Sequence, residues 1–324
     1  MDAQFSHSKD ELYSKKSMKV AVTGATGFVG SRLVERLQQE GHQVLVFTRN
    51  LEKARRVFPS TAFPKVEIVS YTPLESGAWQ NQISGCDGVV NLAGAPIAET
   101  RWTAERKQEI LDSRKIGTQK IVEAIAQADS KPGVLVNSSA IGYYGTSETA
   151  AFNEDSPPGQ DFLAQVCQAW EAEAEQVKQS GTRLVILRTG IVLGQGGAIA
   201  KMLLPFQLFA GGPLGTGQQW FSWIHIDDLV SLIIAALTHS EMAGVFNATA
   251  PQPVRMTELC RALGQTLHRP SWLPVPAFAL EALLGDAAKV VLEGQQVLSE
   301  RTQASGFTYQ YVRVEQALQA VLSS

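Results

Sequence analysis

The sequence predicts an α/β protein built on a doubly wound parallel sheet with a smaller, discontinuous carboxyl-terminal substrate domain. Three observations predict it. Short β-branched runs alternate with helical stretches through the first 190 residues, the first such run ends in a glycine-rich loop, and glycine and proline then crowd the chain.

The elements follow in order. Lys19 to Thr23 (KVAVT) is a β-branched run read as a buried strand. Leu33, Val34 and Leu37 stand at helical spacing within Gly30 to Glu40, and Gly41 closes that helix. Gln43 to Phe47 is the second strand, which completes one βαβ unit. Val66 to Ser70, Gly88 to Leu92, Val134 to Asn137 and Leu184 to Arg188 read as further strands. Helices are expected over Lys107 to Ala128 and Phe162 to Gln179. Beyond Thr189, glycines and prolines fill Gly194 to Gly217 and Pro270 to Pro276, with a helix at Ile226 to Leu237 and a strand at Val245 to Asn247 between them. The expected division is residues 1–17 as a disordered leader or tag and 18–190, rejoined by 224–250, as the nucleotide-binding domain. Residues 191–223 and 251–324 form the substrate-side domain.

Composition narrows the function classes. Apolar residues make up 44% of the chain and charged residues 18%, and the formal net charge is −3, so nothing favours nucleic acid or an anionic membrane as partner. No apolar run reaches the roughly 18 residues that cross a bilayer. Cys86, Cys167 and Cys260 lie far apart with no metal-ligand spacing, as free thiols of a reducing, cytoplasmic compartment do. No metal is expected.

The strongest signal is TGATGFVG, Thr23 to Gly30. Gly24 can carry the backbone through a turn that a Cβ would obstruct, Gly27 lets the main chain approach a pyrophosphate, and Gly30 lets the next helix pack on the strand. The helix start offers free N–H groups to phosphates. With a strand before and a helix after, the loop reads as a dinucleotide site of Rossmann type, seated on Gly24, Thr26, Gly27, Phe28, Val29 and Gly30. The second strand runs into Phe47-Thr48-Arg49-Asn50 and carries no acidic residue for the ribose 2′-hydroxyl of NAD. Arg49 suits a 2′-phosphate instead, so the expected cofactor is NADP.

These residues resemble the extended short-chain dehydrogenase/reductase superfamily, the NAD(P)-dependent epimerase/dehydratase group. GATGFVG fits its GxxGxxG loop, and Asn91-Leu92-Ala93-Gly94 its NxAG element. Ser138-Ser139-Ala140 followed by Tyr144-Gly145 is similar to its serine-bearing strand end, and Trp223 to Leu229 (WIHIDDL) to its late HxxD segment. Arg101 to Arg114, Asp161 to Glu171 and Leu187 to Gly194 resemble an atypical branch, the nucleoside-diphosphate-sugar epimerases with a small carboxyl-terminal domain of unassigned function. In that branch Thr48, Arg49, Leu92, Ala93, Gly94, Glu109, Arg114 and Ile191 are expected to touch NADP. The resemblance also implies a small-molecule substrate and a helix-paired homodimer.

The superfamily's tyrosine and its lysine four residues later are missing. No tyrosine here has lysine at that spacing, and setting Glu171 on the superfamily's glutamate puts Leu163 and Cys167 at the two positions. Three side chains are candidate replacements: the Ser139 hydroxyl and the phenols of Tyr143 and Tyr144, the latter needing help to act near neutral pH. His225 is read as fixing the junction between the domains. Two functions stay open: an NADP-binding, epimerase-like oxidoreductase acting on a small carbonyl or sugar-like molecule, and a non-catalytic NADP(H) sensor linked to cell or plastid division.

Overall fold

The structure, a computed structural model, describes residues 17–98 and 100–323. The leader expected over residues 1–17 lies outside the described residues except for Ser17.

The chain begins with β1 (Lys19–Thr23), α1 (Phe28–Gln39), β2 (Gln43–Thr48), α2 (Leu51–Val57) and β3 (Val66–Ser70). It continues through β4 (Gly88–Asn91), α3 (Ala104–Gln127), β5 (Val134–Ala140), β6 (Ala151–Phe152), α4 (Phe162–Glu175) and β7 (Arg183–Thr189). Then come β8 (Ile191–Leu193), α5 (Gly197–Gln207), β9 (Trp220–Phe221), β10 (Trp223–His225), α6 (Ile226–Thr238) and β11 (Gly244–Ala248). The last stretch holds β12 (Val254–Arg255), α7 (Met256–Leu267), α8 (Ala277–Leu284), α9 (Lys289–Leu292), β13 (Gln296–Val297), α10 (Glu300–Ala304) and α11 (Val314–Ser323).

Seven strands form one sheet in the order β11-β7-β5-β4-β1-β2-β3, every pair parallel. This is the predicted Rossmann-like sheet. Its inner strands are buried on both faces, while the edge strand β3 is partly exposed, and residue parity sorts them. Val20, Val22, Val44 and Val46 pack with Leu33 and Leu37 of α1 and Leu229 and Ile233 of α6. Ala21, Leu45, Phe47 and Val89 pack on the other face with Ile121 and Ile125 of α3 and with Trp79.

Local rules explain where the elements depart from expectation. Helix α3 starts at Ala104, three residues early, because the Thr103 side chain accepts from the Arg106 amide. Strand β5 runs on to Ala140 because Ser138, Ser139 and Ala140 pair with Leu187, Arg188 and Thr189 of β7. Helix α4 ends at Glu175 and tightens into a 3-10 turn over Gln176–Ser180.

A third core sits beside the sheet. Leu193, Ile199, Phe206, Phe221 and Trp223 pack there with Leu259, Leu263, Ala317 and Leu318. It joins segments before and after α6, as a discontinuous carboxyl-terminal unit requires. The helices α5, α7 and α11 that build it are absent from the sequence-level expectation.

The register fixes where a ligand can sit. Thr23 is opposite both Phe47 and Asn91, and Asn91 is opposite Asn137, so β1 and β4 end level while β2 runs one residue and β5 three residues further. Strand order reverses at β1 and β4, which opens a crevice at their carboxyl ends.

Candidate functional site

The glycine loop leaves β1 at that crevice. Gly24 has φ of +68°, and a Cβ there would stand 2.8 Å from the Leu92 carbonyl. At Gly30 a Cβ would meet the Gly24 carbonyl oxygen at 2.3 Å, so the start of α1 sits directly on the turn. Gly27 is the N-cap of α1, which has neither a side-chain cap nor an acidic residue in its first turn. That helix end is left with amide donors and a positive dipole end, the requirements of a phosphate seat. The Phe28 side chain turns away, since its ring packs under Gly194, Gly196 and Gly197. Only the Phe28 backbone serves the loop.

Four buried side chains hold the crevice in shape. The Thr23 hydroxyl donates to Asn91 Oδ1 at 2.7 Å and accepts from the Ala93 amide at 3.3 Å. Asn91 Nδ2 donates to Thr118 Oγ1 at 2.9 Å and to Asn137 Oδ1 at 2.8 Å. This network pins Leu92, Ala93 and Gly94 opposite the glycine loop. Asn91 is read from the sequence as the first residue of the NxAG element; Asn137 is not singled out there, and a polar residue inside an apolar strand is the available signal for it.

At the end of β2, Thr48 is buried while Arg49 is exposed with no acidic partner among the described residues. Asn50 caps α2 by accepting from the Lys53 amide at 2.9 Å. Among the described residues no ion pair takes up the exposed Arg49 guanidinium.

A cleft of about 600 Å³ continues from the crevice between the sheet and the carboxyl-terminal segment. Val29, Leu92, Gly94, Arg114, Ser139 and Ile191 line it, so the structure gathers these predicted residues in one place. Glu109 is not among them. It lies on α3 five residues before Arg114, about 140° around the helix, and its exposed carboxylate holds Arg106 at 2.6 Å.

The expected proton-transfer groups are placed differently from the sequence reading. Neither Tyr143 nor Tyr144 lines the cleft. The Tyr144 phenol donates to Asn247 Oδ1 at 2.7 Å and accepts from Arg188 Nη1 at 3.0 Å, while its ring stacks on Phe152. Burial pushes its pKa up. The Tyr143 ring lies 3.3 Å from the Arg188 guanidinium. The Tyr144 phenol is taken up by a buried charge network and the Tyr143 ring covers the Arg188 guanidinium, so both stand away from the cleft lining, which corrects their reading as donors there. Ser139 does face the cleft, yet its hydroxyl donates to Glu171 Oε1 at 2.6 Å. In that state it can only accept a further hydrogen bond.

Leu163 and Cys167 both line the cleft, as their alignment with the missing tyrosine and lysine implies. Burial pushes the Cys167 thiol up to about 12, so it stays neutral. Among the described residues no tyrosine and no histidine lines the cleft. His225 caps α6, its Nδ1 accepting from the Asp227 amide at 3.2 Å, and its ring lies 3.9 Å from that of Tyr311. Asp228 of the same segment accepts from the amides of Gln310 and Tyr311. The HxxD segment therefore fastens the carboxyl-terminal chain, as expected of a junction.

The outer wall was not legible in the sequence. Lys107 of α3 pairs with Asp286 at 3.0 Å across the mouth, and Arg101 donates to the carbonyls of Ala282 and Leu283. Glu293 accepts from the Thr146 hydroxyl at 2.8 Å, and Gln295 donates to the Ile141 carbonyl. Trp102, Phe162, Trp170 and Trp220 give the cleft an aromatic interior.

The model of the NAD dependent epimerase/dehydratase family matches residues 20–248, and that of a domain of unknown function, DUF1731, matches residues 275–321. The Arabidopsis thaliana protein named epimerase family protein SDR39U1 homolog, chloroplastic, is 52% identical over 311 residues, which span 95% of this chain and 88% of that protein. Epimerase family protein YfhF of Bacillus subtilis is 36% identical over 307 residues, 94% of this chain and 98% of that one. Among solved structures, human epimerase family protein SDR39U1 (isoform 2) with NADPH superposes with a TM-score of 0.85 at 36% identity, covering 95% of this chain and all of that one. With this glycine loop, this strand order and these matches, the chain belongs to the NAD-dependent epimerase/dehydratase family.

Proposed function

We propose that the protein binds NADP(H) and works as an epimerase-like oxidoreductase on a small carbonyl or sugar-like molecule held in the cleft. The observation that carries this reading is the continuity of two features. A diphosphate seat at the amino end of α1 opens into a cleft with aromatic walls and a few fixed charges.

The residues present fit the cofactor. A Cβ would fill the cradle at Gly24 and Gly30, the α1 terminus is uncapped, and Arg49 has no acid of its own to pair with. Gly24, Thr26, Gly27, Val29 and Gly30, with the Phe28 amide, would hold the diphosphate. Thr48 and Arg49 would hold the 2′-phosphate, and Leu92, Ala93, Gly94 and Ile191 would flank the rest. When bound, the dinucleotide supplies hydride to a carbonyl or accepts it from an alcohol. The chain's own residues orient the substrate against the Leu163–Cys167 face of α4, exclude water with Trp102, Phe162 and Trp170, and hold the outer wall through Lys107 and Asp286. The solved structure of the human relative with NADPH supports the choice of NADP.

A second reading, a non-catalytic NADP(H) sensor, is favoured by the fate of the candidate acid/base groups. Ser139 and Tyr144 are bound into a structural network, and Cys167 stays a neutral thiol. One experiment separates the two. NADPH is added to the protein with a panel of carbonyl compounds and sugar nucleotides, and its absorbance is followed after tight binding has been shown by thermal shift. Consumption with any panel member supports the enzyme; binding without consumption supports the sensor.

For the compartment we keep the cytoplasm. Among the described residues no helix is long and apolar enough to cross a membrane, and Cys86, Cys167 and Cys260 are buried free thiols. The helix-paired homodimer stays part of the proposal, on the family resemblance.

A further inference from the structure

Two helices of the carboxyl-terminal unit end in the same turn. After α5, the Phe209 amide donates to the Phe206 carbonyl at 3.0 Å and the Ala210 amide to the Pro205 carbonyl at 2.9 Å. After α7, the His268 amide donates to the Gln265 carbonyl at 3.2 Å and the Arg269 amide to the Gly264 carbonyl at 2.8 Å. This closure holds one residue in the left-handed region, where glycine is usual because a Cβ is crowded there. Phe209 has φ of +62° and His268 of +53°, and among the described residues no other non-glycine residue has positive φ. A phenylalanine in that place strains the backbone. Burial gives nothing back, since the residue is 59% exposed.

The two turns meet in space. The Arg269 guanidinium lies 4.5 Å from the Phe209 ring, and the Leu273 amide donates to the Gly211 carbonyl at 3.2 Å. Around them Leu208 is 67% and Trp272 72% exposed, with Leu204 and Leu273 exposed as well. None of these side chains lines the cleft. Contiguous apolar surface of this kind marks an interaction site. Its charge is one-sided. Residues 197–215 and 259–276 carry Lys201, Arg261 and Arg269 and no aspartate or glutamate, although the whole chain has a net charge of −3. Lys201 and Arg269 donate to the carbonyls of Ala98 and His268, and neither is in an ion pair among the described residues.

We propose that this patch, centred on Phe209, Trp272 and Arg269, docks another protein through a surface that carries apolar side chains and carboxylates. Charge complementarity selects the occupant. A second copy related by a twofold axis would set the patch against itself, cation on cation with no acid between. A fluid bilayer rewards apolar area and flanking cations whatever their exact placement, so it leaves the strained Phe209 without a cause. A folded partner rewards fixed geometry, and exposed aromatic and arginine anchors are the side chains such contacts use. The inference stands apart from the cofactor reading.

The test pans the full-length protein against a displayed library of random dodecapeptides, beside Trp272→Ser, Arg269→Glu and Phe209→Gly. The expected winners combine Asp or Glu with Leu, Phe or Trp. A synthetic winner, followed by fluorescence anisotropy, is expected to lose about tenfold or more in affinity with Trp272→Ser and with Arg269→Glu. Phe209→Gly relieves the strain, so it is expected to melt about 1–3 °C higher and yet bind the peptide about tenfold more weakly. All three variants keep the wild-type thermal shift with NADPH, which shows that the fold and the cleft are intact. No enrichment of acidic, apolar peptides overturns the proposal, as do winners indifferent to the three substitutions. A lower melting temperature in Phe209→Gly overturns it too, because the ring then serves the fold. Two further measurements decide between occupants. Co-sedimentation with phosphatidylglycerol vesicles that Trp272→Ser abolishes assigns the patch to a bilayer. Self-association in sedimentation velocity that Trp272→Ser abolishes assigns it to a second copy. Either result overturns the proposal.

Discussion

Arg188 grips Glu171 through two hydrogen bonds, Nε to Oε1 at 2.9 Å and Nη2 to Oε2 at 2.8 Å, with both side chains buried beneath the cleft floor. The pair lies under Ser139 and Tyr144 and decides what those residues can do. A buried, bidentate pair whose guanidinium also donates to the Tyr144 hydroxyl and the Glu154 carbonyl is stiff, and Glu171 holds the Ser139 hydroxyl pointing inward. Glu171→Ala strands the Arg188 charge, and is expected to lower unfolding free energy by about 3–5 kcal/mol in urea denaturation. An unchanged midpoint would show that water reaches the guanidinium.

Arg49 carries the cofactor choice. Its exposed guanidinium has no acid to release before it meets a phosphate, and no acidic residue stands at the end of β2 to hold a ribose diol. Arg49→Asp is expected to weaken NADPH about tenfold to a hundredfold while NADH changes little. Fluorescence titration with both nucleotides measures this, and equal losses would remove Arg49 from the 2′-phosphate site.

Cys167 occupies the position of a fixed cation but is a thiol held near 12 by burial. At about pH 8 its thiolate fraction is negligible, so iodoacetamide should leave it unmodified in the folded protein. Peptide mass spectrometry after labelling with and without denaturant reads the outcome. Rapid native labelling of Cys167 would mean that the α4 face is electropositive enough to activate it.

His225 links stability to pH. Burial holds its pKa below the ordinary 6.5, although Asp227 opposes this and Arg32 assists it. A histidine kept neutral in the fold binds fewer protons than in the unfolded chain between the two pKa values. Its contribution is therefore present above about pH 6.5 and is lost as pH falls toward the folded value. The urea midpoint should drop over that window, and His225→Asn, which keeps a cap acceptor, should flatten the drop. A variant with the wild-type slope would place the pH dependence elsewhere.

The comparison of sequence with structure separates two kinds of site residue. Gly24 and Gly30 were legible because the turn they form is local, and Arg49 because its place at a strand end is. Glu109 and Tyr144 stand outside the cleft lining for a reason the linear pattern does not carry. Their roles were taken from a linear pattern, while the helix phase of α3 and the buried Arg188 dictate where they point. Lys107 and Asp286 gave no linear signal, because the two partners lie 179 residues apart in the chain.

By itself the sequence determined the parallel sheet, the phosphate-binding turn and the absence of the tyrosine–lysine pair, since periodicity, glycine placement and spacing are properties of neighbouring residues. Only the tertiary structure decided which polar groups face the cleft and which are bonded away beneath it. Hydrogen bonds and burial join residues that the chain keeps far apart, and whether Ser139, Tyr144 or Arg114 is available depends on who its neighbours are in space.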